Sequence, residues 1–247
     1  MISPLVIIPA RMASSRLPGK PMAEIAGRPM ILHVLERAQA ASAGRVVVAA
    51  AEQEIVDIVR RAGGEAVLTE PDLASGSDRV HAAMLQVDPT AKHDVIINLQ
   101  GDLPGLDPST LQAALLPLSD AATDIGTLVA PIRDDREASA ESVVKVACAF
   151  PSEATQIARA LYFSRACIPW GEGPLWHHIG VYAWRRTALE RFVSLPASPL
   201  ERRERLEQLR ALEAGMIIGC ARVAEAPFGV DTPADLERAR RILGKQS

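Results

Sequence analysis

The sequence predicts an α/β chain with a mostly parallel central sheet and an inserted, more antiparallel lobe. Three observations carry that expectation. Short apolar runs at 5–8, 45–50 and 93–99 read as buried strands. Segments of helical periodicity separate them, which is the alternation a doubly wound parallel sheet requires. Between 125 and 184 the alternation gives way to a succession of extended stretches, as an inserted lobe would. The 247 residues suit one domain, 1–247, with the lobe at about 140–200, and 48% apolar residues supply a sizeable core.

The first strand, Leu-Val-Ile-Ile at 5–8, is apolar throughout and stops at Pro9. The loop after it sets three cations, Arg11, Arg16 and Lys20, among the small residues Ala13, Ser14, Ser15 and Gly19. Small residues let backbone N–H groups approach a ligand, and the cations neutralise it, so this loop suits phosphate. A solvated basic loop is the competing reading. The spacing fits neither the Walker pattern nor Gly-x-Gly-x-x-Gly. Ile31, Val34, Leu35 and Ala38 then recur at helical spacing over 30–40, with Pro29 before them and Gly44 after. Residues 45–50 predict a second strand, 52–62 a helix closed by Gly63-Gly64, and 65–68 a third strand.

Ser75-Gly76-Ser77 is a turn, with Ser77 expected to cap a helix starting near Asp78. It serves only as that cap, or its backbone hydrogen-bonds a planar ligand such as a nucleobase. Strand 93–99 runs into Gln100-Gly101-Asp102. A carboxylate just past the end of a buried strand lies where open α/β sheets bind ligands. Asp102 is a hard oxygen donor suited to Mg²⁺. The alternative is a cap for the helix expected near Pro108.

In the lobe, strands are expected at 125–131, 142–149, 156–163 and 177–184. Tyr162, Phe163, Trp170, Trp176, Tyr182 and Trp184 gather there in a chain only 4% aromatic, which favours an interface or a substrate pocket. Arg165 and His178 lie among them. His177 and His178 point to opposite faces of a strand and cannot share a metal. One long helix is expected from 198 to about 214, leaving Glu207 and Gln208 to a cleft, and a last strand at 216–223. Asp231 then precedes Thr232 and Pro233, a complete start signal for a final helix. Meeting Asp102 across the cleft, Asp231 would complete a Mg²⁺ site with a triphosphate.

Composition excludes other classes. Lys and Arg number 27 against 30 Asp and Glu, a net charge of −3, which makes no electrostatic case for nucleic acid. The three cysteines, Cys148, Cys167 and Cys220, form no Cys-x-x-Cys pair and suit a reducing compartment. No apolar stretch approaches the roughly 20 residues of a membrane helix, and no signal peptide is expected. A cytoplasmic location is the expectation.

Eight motifs stand in order: Pro-Ala-Arg…Arg-Leu-Pro-Gly-Lys-Pro at 9–21, Ser-Gly-Ser-Asp-Arg at 75–79, Gln-Gly-Asp at 100–102, Leu-Tyr-Phe-Ser-Arg at 161–165, Ile-Pro-Trp at 168–170, His-Ile-Gly-Val-Tyr at 178–182, Leu-Glu-Gln-Leu-Arg at 206–210 and Gly-Val-Asp-Thr-Pro at 229–233. Together they span essentially the whole chain and resemble the 3-deoxy-manno-octulosonate (Kdo) cytidylyltransferase family, the CMP-Kdo synthetases. The resemblance implies a homodimeric, Rossmann-like nucleotidyltransferase fold. The implied reaction is CTP + Kdo → CMP-Kdo + diphosphate, with Mg²⁺, for lipopolysaccharide assembly. Arg11, Arg16 and Lys20 would hold the CTP phosphates, with Ser75, Gly76 and Arg79 at the nucleotide site. Asp102 and Asp231 would ligate Mg²⁺, and Arg11, Lys20, Asp102 and Asp231 would be catalytic. Gln100, Arg165, His178, Tyr182, Glu207 and Gln208 would line the Kdo pocket, with Arg165 suited to its carboxylate. No Ser/His/Asp or Cys/His set is found, and nucleotidyl transfer needs alignment and charge neutralisation more than a covalent nucleophile. Two departures stand out. Leu103 occupies the place of the family's usual Glu, and Ala50-Ala51 that of Thr-Asp. They leave open a related acidic sugar, amino-Kdo or sialic-acid-like, as substrate, or a weakly active relative that binds without turnover.

Overall fold

The apolar run ahead of the cationic loop forms strand β1 (Pro4–Ala10), in which Leu5, Val6, Ile7 and Ile8 are fully buried. Burial of each such side chain is worth at most about 1.5–3 kcal/mol, so this strand anchors its surroundings. The computed structural model describes residues 3–14 and 16–244; Ser15 of the cationic loop lies outside the described residues. Two compact units are present, Met1–Leu111 with Pro227–Ser247, and Gln112–Ala226.

In the first unit a 3-10 turn at Lys20–Met22 leads into a hairpin of β2 (Glu24–Ile25) and β3 (Arg28–Pro29), which the sequence did not announce. Then come α1 (Met30–Ala40), β4 (Arg45–Ala50), α2 (Gln53–Arg61), β5 (Ala66–Leu68), α3 (Gly76–Val87), β6 (Val95–Leu99) and α4 (Pro108–Ala113). The strands lie in the order β5-β4-β1-β6 and every adjacent pair is parallel. Parallel strands need right-handed crossovers, and α1, α2 and α3 supply them. The buried stripe Ile31, Val34, Leu35 and Ala38 of α1 is the one its spacing predicts.

The second unit begins with β7 (Ile125–Pro131), α5 (Asp135–Ser139) and β8 (Lys145–Ala147), shorter than the expected 142–149. The expected strand 156–163 is two strands, β9 (Ile157–Arg159) and β10 (Tyr162–Ser164). The backbone changes partner between them: Ala160 N–H donates to Ile218 O and Leu161 N–H to Ala147 O. The unit continues with β11 (Trp176–Arg185), α6 (Arg186–Ser194), α7 (Pro199–Glu204), α8 (Gln208–Glu213) and β12 (Ile218–Arg222). Strand β12 runs parallel to β7, whereas β7–β11, β8–β10, β8–β11 and β9–β12 are antiparallel. Gln112–Ala226 is thus the more antiparallel of the two units.

The single helix expected over 198–214 is also two. Arg205 adopts left-handed backbone angles (φ 56°, ψ 46°) and ends α7. The break folds α8 back so that Arg210 Nε and Nη2 reach Glu201 Oε2 and Oε1 at 2.8 and 2.5 Å. The chain then returns to the first unit as α9 (Pro233–Leu243), opened by a Thr232/Asp235 capping box with Pro233 in the first turn. Leu236, Ala239 and Leu243 of this helix pack with Ile25, Met30 and Val230 in one buried cluster. That packing fixes Asp231, one residue before the cap.

Candidate active site

A cavity of about 640 Å³ opens at the C-terminal ends of β1 and β6. Its walls include Arg11, Arg16, Lys20, Ser75, Gly76, Arg79, Gln100, Asp102 and Asp231. Open parallel sheets bind ligands at this end of their strands. Four cationic side chains face two carboxylates, so the lining is net positive and suited to a polyanion.

Glycine governs how the loops close. Gly19 takes φ 71° at the start of the 3-10 turn, and its N–H donates to Met12 O at 3.0 Å, which ties the cationic loop. A Cβ on Gly101 would stand 2.9 Å from Pro9 O, so only glycine lets the Gln100–Asp102 turn lie against the end of β1. Beyond it, Asp102 O accepts from Val230 N–H at 2.9 Å. The two acidic segments, far apart in the chain, are thus joined through backbone.

Their carboxylates converge on one ammonium. Lys20 Nζ donates to Asp102 Oδ2 at 2.7 Å and to Asp231 Oδ1 at 3.1 Å. Arg16 Nη2 stands 3.1 Å from the other Asp231 oxygen. Burial alone would lower the Lys20 pKa, but attraction and hydrogen bonding to Asp102, then Asp231, outweigh it and raise the value above 10.5. Lys20 is therefore a permanent cation. Helix α4 finds its first-turn partner elsewhere, since Asp107 Oδ1 accepts from Ser109 N–H at 2.8 Å. Asp102 thus does not cap that helix.

On the opposite wall, Ser75 rather than Ser77 caps α3: its Oγ accepts from Asp78 N–H and donates to Asp78 Oδ2. Ser77 is fully buried. The true cap brings Gly76 into the first turn, and Ser75 and Gly76 at this helix start border the cavity. Arg79 lines the cavity but is 2% exposed, and its guanidinium donates to Thr69 Oγ1 and to the carbonyls of Glu70 and Pro71. It braces the 69–71 segment. Sequence reasoning missed Glu52. It occupies the N-cap position of α2 without capping it, and its Oε2 instead accepts from Met12 N–H at 3.0 Å. The only signal was an acidic residue at a helix start.

The remaining expected residues belong to the second unit. Arg165 donates through Nε to Glu204 O and through Nη1 to Glu141 O, at 3.0 and 2.9 Å, so its guanidinium already joins two segments. His178 and Tyr182 are buried within a ring column running Phe163, His178, Tyr182, Trp184, Phe192. Burial, with His177 adding to it, pushes the His178 pKa down to about 3. Burial pushes the Tyr182 hydroxyl well up, so it is a proton-bearing group. Gln208 opens α8 and is 4% exposed, with Glu207 partly exposed beside it. The departures from the family pattern, Ala50, Ala51 and Leu103, are all buried, and none lines the cavity.

The donor set bears on a metal. Asp102 and Asp231 offer hard carboxylate oxygens at one point, and no cluster of three or more His, Cys, Asp or Glu side chains exists among the described residues. Two carboxylates, with phosphate oxygens and water for the rest, is how Mg²⁺ is commonly held. The residues fit that ion.

Fold and cavity together are those of a nucleotidyltransferase, and the family model for cytidylyltransferases matches residues 5–218. The chain belongs to the cytidylyltransferase family. Its relatives include the 3-deoxy-manno-octulosonate cytidylyltransferase of Parvibaculum lavamentivorans, 61% identical over 99% of this chain and 94% of that one. Another, from Mesorhizobium japonicum, carries the same name and is 58% identical over 98% of this chain and 99% of its own. Among solved structures, a CMP:2-keto-3-deoxy-manno-octonic acid synthetase complexed with CTP superposes with TM-score 0.89 at 39% identity, covering 99% of this chain and 100% of that one. A 4-diphosphocytidyl-2C-methyl-D-erythritol synthase from Anaerococcus prevotii, 11% identical with TM-score 0.63, shares the fold alone.

Proposed function

We propose that this chain transfers the cytidylyl group of CTP to Kdo, giving CMP-Kdo and diphosphate. The observation that carries the reading is the convergence of Asp102 and Asp231 on Lys20, inside a net-positive cavity at the sheet's C-terminal end. The names and high identity of the relatives support the same reaction.

Arg11, Arg16 and Lys20 hold the triphosphate, and Lys20, always protonated, stabilises charge that builds on the departing diphosphate. Ser75, Gly76 and the α3 N-terminus lie against the nucleotide. Asp102 and Asp231 would hold Mg²⁺, which when bound neutralises phosphate charge and lowers the pKa of the attacking sugar hydroxyl. No side chain needs to form a covalent intermediate. Gln100, which lines the cavity, is proposed for the sugar, as are Arg165, His178, Tyr182, Glu207 and Gln208. His178, held neutral, acts there as a shape and hydrogen-bonding group, not a cation.

A homodimer is proposed as well. It is supported by Trp170, 99% exposed, and Leu161, 67% exposed, in the second unit. A cytoplasmic place in lipopolysaccharide assembly suits the three free thiols. Among the described residues no helix is long and apolar enough to cross a membrane.

The test is diphosphate release with CTP, Mg²⁺ and a panel of acidic sugars. Release that depends on Kdo is expected. Release only with an amino-Kdo or sialic-acid-like sugar would reassign the substrate, and CTP binding without release for any sugar would overturn the reaction. Light scattering on the same preparation tests the dimer.

A further inference from the structure

Asn98 on β6 is fully buried, in a strand whose other residues, Val95, Ile96, Ile97 and Leu99, are all buried and apolar. Its register partner on β1 is Ile7. Its Nδ2 is one of two buried side-chain nitrogens without a partner among the described residues. Leaving a donor unpaired in a protein interior costs about 1–3 kcal/mol, and an aliphatic side chain of similar size carries no such cost. Stability alone does not account for an amide at this position.

Its other end makes a side-chain hydrogen bond. Asn98 Oδ1 accepts from Gln100 Nε2 at 3.1 Å. Residues two apart on an extended chain share a face, so the wholly buried amide lies directly behind the one that lines the cavity. The Gln100 carboxamide also lies against the α3 start: a Cβ on Gly76 would be 3.8 Å from its Nε2 and 3.9 Å from its Oε1. A free glutamine side chain gives up about 1.5–2 kcal/mol of rotamer freedom when a ligand fixes it. A residue that fixes it beforehand removes that cost from binding.

We propose that Asn98 is a positioning residue: it holds the Gln100 carboxamide in one orientation, nitrogen inward and oxygen presented to a hydroxyl or amino group of the ligand. The inference rests on the cytidylyltransferase reading for its ligands. It explains why the strand leading to the acidic turn carries a polar residue that its packing does not require.

The experiment is a double-mutant cycle of Asn98→Val, Gln100→Ala and the pair, read as kcat/KM for Kdo at saturating CTP, as CTP affinity by calorimetry, and as Tm. Asn98→Val is expected to melt no lower than the parent, yet to lose about tenfold in kcat/KM or in CTP affinity. The pair is expected to lose no more than Gln100→Ala alone, because Asn98 acts only through Gln100. Losses that multiply, or an Asn98→Val protein with unchanged kcat/KM and CTP affinity, overturn the inference. Asn98→Thr, nearly the shape of valine, enters the same cycle if the valine protein does not fold. Coupling in CTP affinity without Kdo turnover would uphold the inference and overturn the reaction; Kdo turnover without coupling would do the reverse.

Discussion

Lys20 holds together the two carboxylates proposed to hold Mg²⁺, and this sets up a competition that can be measured. Lys20→Met keeps the length of the apolar stem and removes the ammonium. Two contacts are lost, at 2.7 Å to Asp102 and 3.1 Å to Asp231, from a side chain 17% exposed. The Asp102 contact is sheltered, and a charge-assisted hydrogen bond there is worth about 1.5–3 kcal/mol. Asp231 is 46% exposed and keeps Arg16, so its share is nearer the surface scale of about 0–1 kcal/mol. A loss of about 2–4 kcal/mol lowers Tm by roughly 4–16 °C in a chain of this size. The Lys20 contribution is complete below pH 10.5 and is lost only as pH climbs through the raised folded value, so pH 7.5 is a safe working point. Mg²⁺ without nucleotide should barely move the parent, whose carboxylates are already neutralised. In Lys20→Met the pair is open, and a dissociation constant of about 1 mM makes 10 mM Mg²⁺ worth about 1.4 kcal/mol, or roughly 3–6 °C. Differential scanning fluorimetry with and without MgCl₂, at matched ionic strength, reads both effects. Equal Mg²⁺ shifts in the two proteins, or equal Tm values without Mg²⁺, would refute the reasoning.

Three further outcomes follow from particular contacts. Asp102→Asn should cut diphosphate release by about 10²–10³-fold while circular dichroism stays that of the parent, and near-normal turnover would remove Asp102 from the metal role. Glu52→Ala frees the Met12 N–H and should weaken CTP binding by calorimetry about tenfold, whereas Glu52→Gln, which keeps an acceptor, should recover most of it; equal effects would show that the contact does not order the loop. Glu201→Gln removes the carboxylate charge that faces the Arg210 guanidinium, 10% exposed, and should cost about 3 kcal/mol in urea unfolding. Burial would raise the Glu201 pKa, but the Arg210 bonds and the Ser198 N–H outweigh it and hold it below 4.5, so that loss should shrink as pH falls through the folded value.

What the chain announced and what it hid divide along physical lines. The segments 5–8, 45–50 and 93–99 were legible because strands buried on both faces read as largely apolar runs, with Asn98 the polar exception inside β6. The Asp231 turn was legible because Thr232, Pro233 and Asp235 give a local start signal. The strand at 156–163 was not, because its division at Ala160–Leu161 depends on which neighbours wait on either side. The break at Arg205 is a left-handed residue with no glycine to mark it, stabilised by the Glu201–Arg210 pair that forms only after the chain has turned. At the site, residue types pointed to cations and carboxylates separately. That Lys20 pairs with both carboxylates is a fact of three segments meeting, the first and last 211 residues apart in sequence. The Met12–Glu52 and Gln100–Asn98 side-chain hydrogen bonds join segments or positions that carry no spacing signal of their own.

His178 shows how such context decides chemistry. Thr127 Oγ1 stands 3.0 Å from His178 Nε2, 2.8 Å from Val181 O and 3.3 Å from Ile179 O, so the ring's polar neighbour is a neutral hydroxyl. Phe163 and Tyr182 stand 4.9 and 5.4 Å from its ring and offer no counter-charge. Burial first, then His177, lowers its pKa from 6.5 to about 3. The unfolded chain takes up this proton near 6.5 and the folded chain does not until about 3, so stability is complete above 6.5 and drains as pH falls between those values. The drain is at most about 1.4 kcal/mol per pH unit, or about 2–3 kcal/mol between pH 6.5 and 4.5. His178→Gln keeps a carboxamide for Thr127, able to donate or to accept, and does not titrate. Urea unfolding of both proteins at several pH values should give a shallower acid limb for the variant by that amount, with the carboxylate contributions cancelling in the difference. Parallel curves would mean that His178 is protonated in the folded protein, and a cationic role toward a sugar carboxylate would then become tenable.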